Sequence, residues 1–196
     1  MNLSELGIKA RAASVLLAKM NVETKNKALI ACADALVKES NSILEANAKD
    51  VLIGREKGMN EGLVDRLMLT EERIKGIAEG LEQVAALNDP VGEVLDMKKR
   101  PNGLLIGKKR VPLGVVGMIY EARPNVTPDA FALCFKSGNA VILRGGSDAI
   151  NSNIAIVKVL QDTLKACGIT EDAVQLIEDT SHEVGTEFMK MNGYLD

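Results

Sequence analysis

Apolar residues recur at spacings of three and four through Leu3 to Met20, and again from Glu23 to about Glu56, with Lys and Glu in the positions between them. That is the pattern of amphipathic helices. Thr70, followed by Glu71 and Glu72, reads as an N-cap with acids in a first turn whose dipole favours them. The helix it opens should stop before Asn88, Asp89 and Pro90. From Val94 the period changes to two. VLDMKKR and LLIGKKRV flank Pro101, Asn102 and Gly103, which predicts a β-hairpin. After Pro112, short apolar runs alternate with helical stretches. VVGMI leads to a helix from about Thr127 to Lys136, AVILR to one from about Asn151 to Cys167, and AVQLI to one from about Ser181 to Met191. Unbroken apolar runs joined by helices predict parallel strands buried on both faces. Gly168 is placed to end the second of these helices, and Thr180-x-x-Glu183 to open the third as a capping box.

The expected fold class is α/β. A helical N-terminal region covers 1–92, a β-hairpin suited to oligomerisation covers 93–111, and a parallel-sheet, nucleotide-binding part covers 112–196. The sequence stops at NGYLD, where another strand is due, so the sheet is expected to be incomplete in this chain.

Composition narrows the function classes. A net charge of −3 with 26% charged residues argues against the basic patch that nucleic-acid binding needs. No run approaches the ~18 apolar residues of a membrane span, and MNLSELGIKARAAS lacks the order of a signal peptide. A cytoplasmic location is the default expectation, with no membrane or nucleic-acid partner. The three cysteines, Cys32, Cys134 and Cys167, lack C-x-x-C spacing, so no metal site is expected and each reads as a small buried hydrophobe. The two KKR triplets read as lysines that protect exposed strand edges.

In open parallel sheets ligands bind outside the carboxyl ends of the strands. There this sequence places EARPN, RGGSDA and EDTSHE, each running into a helix start whose free N–H groups favour an anion. Neither G-x-G-x-x-G nor G-x-x-x-x-G-K-[ST] occurs. Arg123 could hold an anionic substrate group bidentately or pair with Glu121, and the two readings stand level. Pro124 restricts Arg123 to an extended backbone. Gly145 and Gly146 permit close approach of a ligand, although a tight turn would also require them. His182 reads as a surface residue.

RVPLGVVGMIYEARPNVTPDAFALCFKSGNAVILRGG, with SDA after it, resembles the aldehyde dehydrogenase superfamily and, more narrowly, the gamma-glutamyl phosphate reductase family. The helical opening and DTSHEVGTEFMKMNGYLD resemble that family too. The resemblance implies a Rossmann-like cofactor domain of the aldehyde dehydrogenase type. It also implies NADPH-dependent reduction of L-glutamyl 5-phosphate to L-glutamate 5-semialdehyde and phosphate, the second step of proline biosynthesis from glutamate. In that chemistry a cysteine thiolate displaces phosphate and hydride reduces the thioester.

Family members are about twice this length, so the nucleophile is expected beyond Asp196. Cys134, within FALCF, has no neighbouring base to form a thiolate. The chain alone is therefore expected to be inactive. A nonenzymatic cofactor-binding or assembly module, or a reductase of another acyl phosphate or aldehyde, are the alternatives.

By the resemblance, Asn125 helps form the oxyanion hole. Its bland alternative is an N-cap, and because Thr127 and Asp129 could also cap, the oxyanion reading is preferred. Glu121, Ala122, Pro124, Arg144, Gly145, Gly146, Ser147 and Thr180 are the expected cofactor-binding positions, and Arg123 the substrate-binding one. Ser147 falls where NAD-preferring relatives often carry a glutamate, which points to NADPH. A homo-oligomer and association with glutamate 5-kinase are the implied assemblies.

Overall fold

Asparagine side chains open the first two helices. Asn2 accepts from the Ser4 amide and Asn21 from the Thr24 amide, starting α1 (Leu3–Leu17) and α2 (Val22–Lys38). The computed structural model describes residues 2–121 and 123–196. The single long helix expected to reach Glu56 is two helices: the chain turns at Glu39 (φ −92°, ψ 17°) and resumes as α3 (Ser40–Glu56). No Gly or Pro marks the break. Tertiary packing demands it, because α2 lies against α5 (Glu71–Ala86) while α3 leaves to pack on α7 (Ile150–Ala166). A short helix that the periodicity did not reveal, α4 (Glu61–Leu67), is capped by Asn60. Thr70 caps α5 as the sequence predicts, accepting from the Arg73 amide at 3.1 Å.

The hairpin is β1 (Val94–Lys99) with β2 (Leu105–Lys109), antiparallel and irregular between Val94 and Asp96. It stands off the body, with Leu95, Met97, Leu105 and Ile106 all exposed. Two of its basic residues pair locally, Lys98 with Asp96 at 2.9 Å and Arg110 with Glu93 at 2.8 Å.

The second sheet is parallel, in the order β3 (Val115–Ile119), β4 (Ala140–Arg144), β5 (Val174–Leu176). α6 (Val126–Lys136) connects the first two strands and α7 the last two. α1 packs on all three strands, α6 on β4, and α7 on β5. One continuous apolar core joins these elements to α2 and α5. Within it Phe131 and Phe135 stack with ring centroids 5.2 Å apart, and truncating either to Ala would cost about 3–5 kcal/mol.

β3 is not buried on both faces as its apolar run predicts, because it is the edge strand, and Gly117 and Ile119 are exposed. α8 (His182–Phe188) is capped by Ser181, which accepts from the Val184 amide, and not by Thr180. Cys32 and Cys134 are buried but Cys167 is exposed, because it follows the last turn of α7. Gly168 does end that helix, at φ +73°, a conformation that favours glycine. Among the described residues no helix is long and apolar enough to cross a membrane.

Candidate active site

The three loops at the carboxyl ends of the strands do different work. Behind the first lies a buried polar chain. The Tyr120 hydroxyl donates to Thr127 Oγ1 at 2.6 Å, and Thr127 donates to Asn153 Oδ1 at 2.8 Å. It ties the end of β3 and the first turn of α6 to α7, so the residues between are held from both sides. Burial pushes the Tyr120 pKa up to about 12, and its bond to Thr127 only partly offsets this, so the phenol keeps its proton and remains a donor. Sequence reading missed this chain, since Tyr, Thr and Asn at those positions match no motif.

On that anchored turn, Arg123 and Asn125 are exposed and Pro124 is buried. Ala122 lies outside the described residues. Asn125 immediately precedes α6 but makes no side-chain cap bond to a backbone amide; its side chain lies instead beside the Asp129 carboxyl. The alternative caps fall inside the helix, Thr127 in the buried chain and Asp129 in the first turn. Glu121 is exposed, and among the described residues no ion pair joins it to Arg123. That leaves the Arg123 guanidinium available for an anion.

Arg123, Asn125 and Asp129 line one wall of a cleft of about 460 Å³; the other comes from α4, α5 and the turn between them, including Arg66, Leu69, Arg73 and Ile77. Arg73 is fixed there, donating to Met68 O at 2.8 Å and to Asp65 Oδ1 at 2.9 Å. Burial raises the Asp129 pKa, while the Asn125 amide pulls it the other way. The cleft residues on α4 and α5 carried no sequence signal, because only the fold brings them to the end of β3.

The second loop departs from expectation. The first turn of α7 is not open to an anion, because Asp50 of α3, only 2% exposed, already occupies it. One carboxylate oxygen accepts from the Ser152 amide at 2.7 Å and its hydroxyl at 2.6 Å, and the other from Asn151 Nδ2 at 2.7 Å and the Asn151 amide at 3.2 Å. Gly145 is explained internally: a Cβ there would collide with Asn153 and approach the Tyr120 ring at 3.2 Å. Ser147 is exposed and begins a single 3₁₀ turn; Asp148 lies in that turn, and α7 itself starts at Ile150.

Arg144, half-buried, reaches across to the third loop and donates to Thr180 O at 2.7 Å and Ser181 O at 3.2 Å. It is neither a solvated charge nor wholly satisfied, since its Nε is buried with no partner. Asp179 turns this third loop by accepting from the Ser181 amide at 2.9 Å, and that bond lowers the Asp179 pKa. His182 is exposed. Arg144, Gly145, Gly146, Ser147 and Thr180 therefore share the carboxyl edge of the sheet but do not line the cleft of Asn125.

No protein-family model matches the chain. A curated gamma-glutamyl phosphate reductase of Lachnospira eligens is 56% identical over 195 residues, covering 100% of this chain and 47% of the relative. The crystal structure of the gamma-glutamyl phosphate reductase of Thermotoga maritima superimposes with a TM-score of 0.96 at 45% identity, over 100% of this chain and 47% of that one. The chain belongs to the gamma-glutamyl phosphate reductase family. It spans about half the length of the curated relatives it matches. A probable aldehyde dehydrogenase of Listeria monocytogenes shares the fold, with a TM-score of 0.74 at 15% identity over 98% of this chain and 40% of its own. The α/β fold is thus of the aldehyde dehydrogenase type, as its β3–α6–β4 segment suggests.

In this family member none of the three cysteines is prepared as a nucleophile at the cleft. Burial raises Cys134 to about 11 and Cys32 to about 12, the latter with a smaller contribution from Cys167. Both thiols stay protonated near neutral pH. Cys167 follows the end of α7, and since that helix runs back from the carboxyl edge of β4, it lies at the opposite end of the sheet from Asn125.

Proposed function

We propose that the full-length protein carrying this chain reduces L-glutamyl 5-phosphate to L-glutamate 5-semialdehyde and phosphate with NADPH, in the cytoplasm, as the second step of proline biosynthesis from glutamate. The observation that carries the reading is the Asn125 amide, exposed on the turn that leads from the edge strand β3 into α6, making no helix-cap bond and lining a cleft that also presents Arg123. An amide N–H at that point can donate to the substrate carbonyl as its oxygen gains charge, and such stabilisation is often the largest single contribution to catalysis. Arg123 would bind the leaving phosphate, for which a guanidinium has the matching fork of donors.

The residues at the end of β4 fit a phosphorylated dinucleotide in part. The unpartnered buried Nε of Arg144 and the exposed Ser147 hydroxyl suit a ribose phosphate. The first turn of α7 does not fit a pyrophosphate, because a carboxylate already fills it. When bound, the cofactor would supply hydride; the chain's own residues orient the acyl group and stabilise its oxygen. The nucleophilic thiolate is in our reading supplied from outside these 196 residues. A homo-oligomer built through the exposed hairpin, and association with glutamate 5-kinase, would accompany this activity.

Phosphate-dependent reduction of NADP by glutamate semialdehyde, assayed on the full-length protein and on this chain alone, tests the reading. Turnover is expected from the first and none from the second. Turnover by the chain alone, abolished by Cys134→Ser, would overturn the assignment of the nucleophile; no turnover by the full-length protein would overturn the reaction.

A further inference from the structure

We propose that the cleft beside Asn125 recognises the α-amino acid head of the substrate, with Asp129 receiving the α-ammonium group and Arg66 the α-carboxylate. The inference rests on the reductase reading above and adds to it the direction in which the substrate lies.

The charges lining the cleft do not all cancel internally. Arg73 and Asp65 neutralise one another at 2.9 Å, and Arg73 is further held by the Met68 carbonyl. Asp129, Arg66 and Arg123 line the same space, and none of them belongs to an ion pair among the described residues. A simple anion would answer the arginines and leave the carboxylate opposed. A group with both charges on one carbon answers both.

Asp129 is half-buried on α6, and a Cβ on Gly80 of α5 would lie 3.7 Å from its Oδ1. Its carboxyl thus faces a helix that offers no cation at the contact. Burial disfavours its charge, and an ammonium group placed against it would relieve that cost.

The spacing agrees with a γ-glutamyl chain. Asn125 and Asp129 stand four residues apart at the start of one helix, hence on one face with about 5–6 Å between Cβ atoms. From the reacting carbonyl carbon to the α-nitrogen of an extended γ-glutamyl group there are four bonds of ~1.5 Å, which span roughly 5 Å. Arg123 lines the same cleft as Asn125 and Asp129, which leaves it for the phosphate. Leu69 and Ile77 offer apolar walls to the methylenes between, and Arg66, on the opposite wall, meets the carboxylate.

The test uses the full-length protein in two measurements. In phosphate-dependent turnover, Asp129→Asn should lower kcat/KM for glutamate semialdehyde about 10- to 150-fold, the range for a hydrogen bond to a charged group. It should leave kcat/KM for glutarate semialdehyde, which lacks the amino group, unchanged. Arg66→Gln, at an exposed position, should weaken both of those substrates and spare 4-aminobutanal, which lacks the carboxylate. Separately, calorimetry should show L-glutamate binding more tightly than glutarate, with the preference lost in Asp129→Asn. Equal losses on both aldehydes, or equal binding of L-glutamate and glutarate by an active enzyme, overturns the head-group assignment alone. An inactive protein that still prefers L-glutamate supports the assignment while overturning the reductase reading.

Discussion

Replacing Asp50 by Ala should destabilise the protein by several times the cost of an ordinary lost helix cap. The carboxylate is 2% exposed and accepts four hydrogen bonds at the first turn of α7. Ordinary loss of an N-cap costs ~1 kcal/mol. Here the Ser152 amide and hydroxyl would also be left without an acceptor inside the protein, at about 1–3 kcal/mol each. Because one cavity and any entering water are shared, the costs overlap, and we expect about 3–5 kcal/mol in total. For a chain of this size that lowers the melting temperature by roughly 9–15 °C.

Asp50→Asn should fare little better, since its amide nitrogen would face other donors, whereas Ser152→Ala should cost only about 1 kcal/mol. Thermal unfolding followed by circular dichroism reads the shift. Amide hydrogen exchange at Asn151 and Ser152 reads the local fraying. A fall below about 3 °C, with those amides still protected, would refute the view that the protein's own carboxylate closes this helix start.

Asp89→Asn should remove about 3–5 kcal/mol, because Asp89 holds the fully buried Lys25 ammonium at 2.7 Å, and chemical denaturation measures the loss. Burial, with the nearby Lys25 charge, depresses Lys136, and the Asp89 charge opposes this. A lysine whose folded pKa lies below its unfolded ~10.4 destabilises at neutral pH, and stability recovers as pH rises from the folded value toward ~10.4. That alkaline recovery should be larger in Asp89→Asn than in the parent. If the full-length protein is the reductase proposed above, Ser147→Glu should raise its KM for NADPH far more than for NADH at unchanged melting temperature, since no cap bond is lost. Arg144→Ala should weaken NADPH binding and also lower the melting temperature, because it frees the Thr180 and Ser181 carbonyls; equal effects of both substitutions on the two cofactors would remove this loop from cofactor choice.

The parallel strands, their connecting helices and the hairpin were legible because local period, apolar run length and turn residues all agreed there. The break at Glu39 and the helix after Asn60 were not, because neither needs Gly or Pro and both answer to packing between distant segments. Asn125 could be picked out by its place at a strand's end. Its cleft could not, since Arg66 and Arg73 come from 50 or more residues earlier and meet it only through α5 packing on α6. The rule that helix starts welcome anions misled at α7, where Asp50, some 100 residues away in sequence, satisfies the same N–H groups. Arg144 was seen as a ligand contact, but the distant carbonyls that hold its guanidinium follow from no local pattern.

The turnover number of the full-length protein with Asn125→Ala, measured alongside its dissociation constant for NADPH, tests the proposed oxyanion role of that amide most directly. Removing one oxyanion donor should lower kcat by about 10²–10³. NADPH affinity should hold, because Asn125 lies in the cleft and apart from Arg144 and Ser147. A variant with the parent's turnover number would contradict the claim that this amide stabilises the reacting carbonyl.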